Sequence, residues 1–137
     1  MKYCVVIDTN VLVSSLISSH DDSATVLLIE KLLGEVIIPL YNVEIIKEYS
    51  DVLSRKKFNF DSELVSKLLT AIKERGLLID SINSDIKLID LSDKPFYETF
   101  LTCRNDNAYL VTGNLKHFPT DEHIVSPKQM IEILNGN

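Results

Sequence analysis

Short apolar runs alternate along this chain with longer segments of helical character, and each run is continuous rather than interleaved with polar residues. An unbroken apolar run marks a strand buried on both faces, and helical crossovers between such strands make their sheet parallel. Five strands are expected: "YCVVID" at residues 3–8, "EVIIP" at 35–39 and closed by Pro39, "LLID" at 77–80, residues 108–112 and residues 123–126. Helices are expected at residues 10–18, 22–33, 42–54, 94–103 and 127–135. A further helix lies in "FDSELVSKLLTAIKERG", which opens on an Asp-Ser cap signal and stops at Gly76. Gly34 stops the second helix and Pro127 stands early in the last one. The expected fold class is therefore α/β, a parallel sheet with helices on both faces.

The 137 residues read as one domain over positions 1–137, and 45% hydrophobic residues suffice for a real core. At 25% charged residues the chain is not of disordered composition. No apolar run is long enough to span a membrane. Met1-Lys2-Tyr3 leads straight into a strand-like segment without the features of a signal peptide, so a cytoplasmic location and no membrane partner are expected. The net charge of −6 argues against broad electrostatic binding of nucleic acid, although a local basic patch or a bound divalent ion reverses the field where it acts. Cys4 and Cys103 lack ligand-like spacing and are expected as small buried hydrophobes. His20, His117 and His123 are scattered and make no zinc pattern.

In an open α/β sheet, ligands bind at the carboxyl ends of the strands. The first strand ends in Asp8-Thr9-Asn10 and the fourth in Thr112-Gly113-Asn114, so the two sets converge if those strands are neighbours. Each of Asp8, Thr9 and Asn10 favours a helix cap, but one residue suffices to cap and three follow one another here. In the helix at 42–54 the apolar stripe is Ile45, Ile46, Tyr49, Val52 and Leu53. At about 100° per residue, Glu48 falls on the border of that stripe, while Glu44 and Asp51 face solvent. Asp90 and Asp93 precede a helix opening with Pro95, where an N-cap is the ordinary role of an Asp.

Were Asp8, Glu48 and Asp93 to converge, carboxylates about 4 Å apart would repel by about 4 kcal/mol at an effective dielectric of 20. They would need a cation or a shared proton. An all-oxygen donor set suits Mg²⁺ or Mn²⁺, and such sites act on phosphates.

"VVIDTNVLVSSL", "EIIKEYSDVLSRKKF", "DLSDKPFYETF" and "AYLVTGNLKHFP" together resemble PIN-domain proteins, more narrowly the bacterial PIN toxins of toxin–antitoxin systems. The resemblance covers nearly the whole chain. It implies three layers, α/β/α, around a central parallel five-stranded sheet, and Mg²⁺- or Mn²⁺-dependent cleavage of RNA. It implies Asp8, Glu48 and Asp93 as the catalytic acids and metal ligands. Thr9, Asn10 and Thr112 match their polar supports. At Asn114 many PIN domains carry a fourth acid. The amide still ligates a metal or its water, more weakly, which favours one metal ion over two. A cognate antitoxin and a homodimer are expected on the same ground.

Arg55, Lys56 and Lys57, with Phe58 and Phe60, offer a grip on an RNA backbone and a surface for stacking a base; the plainer alternative is a solvated helix end. Lys116 and His117 offer contacts to phosphate. The competing function is a PIN module of weak or no catalysis that binds RNA or a protein. A phosphatase with Asp8 as nucleophile usually needs a second Asp where Asn10 stands, and no Gly-x-x-x-x-Gly-Lys loop occurs among the four glycines.

Overall fold

A computed structural model describes residues 2–136. It contains strands β1 (Tyr3–Ile7), β2 (Ile37–Tyr41), β3 (Leu77–Leu78), β4 (Tyr109–Val111) and β5 (Ile124–Val125). The helices are α1 (Thr9–Ile17), α2 (Ala24–Leu33), α3 (Val43–Leu53), α4 (Ser62–Arg75), α5 (Lys94–Thr102) and α6 (Pro127–Asn135). The strands form one sheet in the order β3-β2-β1-β4-β5, with every pairing parallel. This is the three-layer α/β/α architecture expected of the sequence.

β1 is the central strand. Val5, Val6 and Ile7 are at most 1% exposed, which is why the run shows no polar alternation. α5 packs on β1 and β4, and α2 and α4 on β2. The core joins Leu12, Leu28 and Leu32 from the first two helices to Ile45, Tyr49 and Leu53 of α3 and Phe96 and Phe100 of α5.

Local signals fix the helix starts. Ser23 accepts from the Val26 N–H, Asn42 from Ile45 and Asp61 from Glu63. At α6, Ser126 and Gln129 form a reciprocal capping box ahead of Pro127. Asn42 also donates through Nδ2 to Thr99 Oγ1 at 3.0 Å, which ties the start of α3 to α5.

The first, fourth and fifth strands are trimmed at their ends, to Tyr3–Ile7, Tyr109–Val111 and Ile124–Val125, and the other two differ more. The second begins later and runs through Pro39 instead of ending there. Its start is delayed because Glu35 takes a left-handed turn at φ 61°. Pro39 is tolerated because its backbone faces Gly76, and β3 begins only at the next residue, so no ladder bond is lost on that side. A side chain at Gly76 would collide with the Pro39 carbonyl, so this close approach requires glycine. The third strand shrinks from "LLID" to two residues on the sheet edge, where Leu77 and Leu78 are exposed.

Cys4 and Cys103 are free and half-buried against the core rather than fully buried, and burial pushes both thiols up. Among the described residues no helix is long and apolar enough to cross a membrane.

Candidate active site

The register Ile7↔Val111 brings the carboxyl ends of β1 and β4 side by side. The Asp8 N–H donates to the Val111 carbonyl at 2.9 Å, and the Thr112 hydroxyl donates to Asp8 Oδ2 at 2.7 Å. That hydroxyl accepts in turn from the Asn114 N–H at 3.0 Å, so its proton is directed at Asp8. Asp8 occupies the N-cap position of α1, yet its side chain makes no capping bond. Its carboxylate is therefore held for something other than capping.

Glu48 arrives on α3. The adjacent Tyr49 is buried, donates its hydroxyl to the Ile7 carbonyl and packs its ring on Phe96 at 5.9 Å. One tyrosine thus fastens the elements that carry Asp8, Glu48 and Asp93. Burial pushes its phenol well above the ordinary value, so it stays a neutral donor. The Thr9 hydroxyl donates to Glu48 Oε2 at 2.7 Å. Glu44 is exposed, as the helical phase implies.

A 3₁₀ turn at Leu91–Asp93 delivers the remaining acids. Here the capping role falls to Asp90, which accepts from Ser92 N and Oγ at 2.9 and 2.8 Å. Asp93 makes no capping bond; its Oδ2 lies 3.1 Å from His117 Nδ1. Among the described residues, Asp90, Asp93 and His117 form the group of candidate metal ligands whose donor atoms lie within 4.8 Å of one another. Asp8 and Glu48 stand outside that group but face the same hollow.

That hollow has a volume of about 300 Å³. Asp8, Glu48, Asp90, Asp93 and His117 line it, and Thr9, Asn10, Arg55, Lys57 and Phe58 are also part of its lining. A larger hollow of about 560 Å³ lies by Asn42, Asp80 and Glu98. The smaller one is singled out by its chemistry: four carboxylates and an imidazole share it with two cations.

The field within it is strained. Burial pushes the Asp8 carboxyl up to about 6; Thr112 opposes the rise, Asp93 adds to it, and the Thr9 backbone and Glu48 act in the same two senses. Asp93 is also raised by burial, against the pull of His117. Asp90 is lowered by its bonds to Ser92. A divalent cation would relieve the crowding, and the oxygen-rich donor set with one imidazole is within the range Mn²⁺ and Mg²⁺ accept.

Of the expected residues, Asp8, Thr9, Asn10, Glu48, Asp93, Arg55, Lys57 and His117 share this hollow, and Thr112 touches it through Asp8. Lys56 is exposed and does not line it. Asn114 and Lys116 line an adjoining hollow with Gly113, Leu115 and Ser126; His117 forms the shared wall. Sequence reasoning treated Asp90 as a cap and His117 as a phosphate contact, and left both out of the donor set. The i, i+3 spacing of Asp90 and Asp93, neighbours on a 3₁₀ turn, is the signal for the first. His117 enters through the connection after β4 and carries no local signal.

A family model described as a PIN domain matches residues 4–116, a span from β1 to the residue before His117. No curated protein matches the chain.

Proposed function

The chain belongs to the PIN-domain family, whose members are generally nucleases, and from that premise we propose that it is a metal-dependent endoribonuclease. One observation carries the reading: Asp8, Glu48, Asp90, Asp93 and His117 converge on one hollow with Arg55 and Lys57 beside them. Acids that crowd one another and yet lie beside cations suit a site that binds a cation and a polyanion together.

Asp8, Glu48 and Asp93 would hold Mg²⁺ or Mn²⁺, with Asp90 and His117 as additional donors and Asn114 in a weaker, water-mediated role. When bound, the ion supplies Lewis-acid polarisation of the phosphodiester and makes water a nucleophile near neutral pH. Thr112 and Thr9 keep Asp8 and Glu48 oriented, so that their oxygens need no reorganisation on binding. Arg55 and Lys57 would draw the RNA backbone to the acids, with Lys116 reaching phosphate from the adjoining hollow. Cleavage by water would leave 5′-phosphate and 3′-hydroxyl ends.

The finer proposal is a toxin neutralised by a cognate antitoxin, acting in the cytoplasm as a homodimer; the order and spacing of its motifs support this. The test is incubation of the purified chain with RNA and Mn²⁺. Cleavage that stops with chelator and resumes on adding back Mn²⁺ is expected; cleavage indifferent to chelator would rule out the metal. Induced expression should arrest bacterial growth for the wild type and not for Asp8→Asn.

A further inference from the structure

The connection between α3 and α4 carries an aromatic pair beside the acids. The rings of Phe58 and Phe60 stack with centroids 5.1 Å apart and planes within 5°. Phe60 packs against the core, whereas Phe58 lines the acidic hollow with Arg55 and Lys57. The residue between them, Asn59, is left-handed at φ 51°. Asparagine tolerates that conformation better than most residues. Successive turns brace the loop: Arg55 N–H donates to the Val52 carbonyl, Phe58 to Arg55 and Asn59 to Lys56, at 3.1 to 3.2 Å. The Phe58 ring is therefore held in place by its neighbour and by its backbone.

The Lys57 ammonium lies over the same ring, 5.1 Å from its centre. An exposed cation–π contact of this kind is weak, and a lysine stem releases easily. A planar π-system that takes the lysine's place gains stacking area, and frees the ammonium for a phosphate.

We infer that Phe58 is a specificity residue: it stacks the base of a nucleotide next to the scissile phosphate, with Phe60 as its buttress, and favours a purine there. This rests on the nuclease reading above for the scissile phosphate; the stacking itself does not. A phenyl ring offers no hydrogen bond to a base edge, so it discriminates by stacking area alone, and purines stack over more area than pyrimidines. A base within a duplex is already stacked on both sides, so the ring acts on unpaired nucleotides.

The experiment uses the full chain carrying Asp8→Asn, which prevents cutting, lowers the repulsion of RNA and keeps an acceptor for Thr112. The probe is a short single-stranded RNA containing 2-aminopurine. Binding is expected to quench its fluorescence. Adding Phe58→Ala should weaken binding about tenfold and abolish the quench, in line with alanine substitutions at other stacking residues. Phe58→Trp should restore both, and Phe58→Leu neither. The order of affinity should be oligoadenosine over oligouridine, with the difference lost in Phe58→Ala. Melting curves identify a variant that has not folded, and the tryptophan variant keeps the comparison decisive. Unchanged binding in Phe58→Ala, full rescue by leucine, or no binding by the parent overturns the inference. Cleavage of the same RNA by wild type is scored separately. Cutting without a Phe58 effect removes the stacking role alone, and quenching without cutting removes the nuclease alone.

Discussion

The Thr112 hydroxyl donates a 2.7 Å hydrogen bond to the Asp8 carboxylate, joining residues 104 positions apart at the ends of adjacent strands. It is the contact that holds the most buried acid of the site in its charged form. A hydrogen bond to a charged group contributes about 1.5–3 kcal/mol. Thr112→Val should therefore raise the Asp8 carboxyl further and, by proton competition, weaken Mn²⁺ binding at pH 7 by about 2- to 15-fold, read by calorimetric titration. Thr112→Ser, which keeps the donor, should stay close to wild type. Equal losses in both variants would assign the effect to packing.

Asp8 also sets a pH dependence. Its carboxyl rises from 3.8 to about 6 on folding, so the folded chain holds the proton more tightly than the unfolded chain. Without metal, the stability from this group is full below pH 4 and falls as pH rises from about 4 to 6, by about 3 kcal/mol in total. Asp8→Asn should abolish that slope and make the metal-free protein more stable at neutral pH. Mn²⁺ should reverse the ordering by stabilising the wild type alone, and its affinity should weaken below pH 6. Denaturant melts across this pH range with chelator present are the check. A wild type that gains stability from this group between pH 4 and 6 would show its shift to have the opposite sign.

Tyr49 links stability to geometry. Tyr49→Phe removes the donor to the Ile7 carbonyl and leaves a buried acceptor unpaired, at about 1–3 kcal/mol. The melting temperature should fall by several degrees. Because Ile7 precedes Asp8 and Glu48 precedes Tyr49, kcat should fall as well, while affinity for RNA holds. A variant that loses stability with unchanged kcat would confine Tyr49 to the core.

His117 bears on the choice of metal. Imidazole suits transition metals better than Mg²⁺, whereas carboxylates suit both. His117→Gln should lower the ratio of Mn²⁺ to Mg²⁺ affinity, with Mg²⁺ binding nearly unchanged. An unaltered ratio would leave His117 as a partner of Asp93 rather than a ligand.

Much of this was legible in the sequence because the relevant physics is local. The continuous run of β1 announced a strand buried on both faces, and the phase of α3 put Glu48 rather than Glu44 beside the cleft. Legibility failed where neighbours in space decide. "LLID" is apolar enough for a full strand, but at the sheet edge the ladder covers only Leu77 and Leu78 and ends on the Ile79 N–H, which donates to the Tyr41 carbonyl at 2.8 Å. Pro39 stays inside β2 because of where β3 starts. Asp90 and Asp93 both precede a helix, and only the fold shows that Asp90 makes the capping bond while Asp93 turns to His117. Asn114 follows Thr112 closely, yet a 3₁₀ turn at Leu115–His117 begins there and puts it on the wall of the adjoining hollow. Asn114→Asp should consequently tighten Mn²⁺ only modestly, by less than about tenfold, with the added charge outside the acidic hollow and screened as in water. A larger gain would bring Asn114 into direct contact with the ion.

The most direct measurement is the rate of RNA cleavage at saturating Mn²⁺ by wild type and by Asp8→Asn, with both proteins shown to be folded. Loss of several kcal/mol of charge stabilisation corresponds to a fall of about a thousandfold, with 5′-phosphate ends on the wild-type products. Equal rates for the two proteins would mean that the hollow around Asp8 is not where RNA is cut.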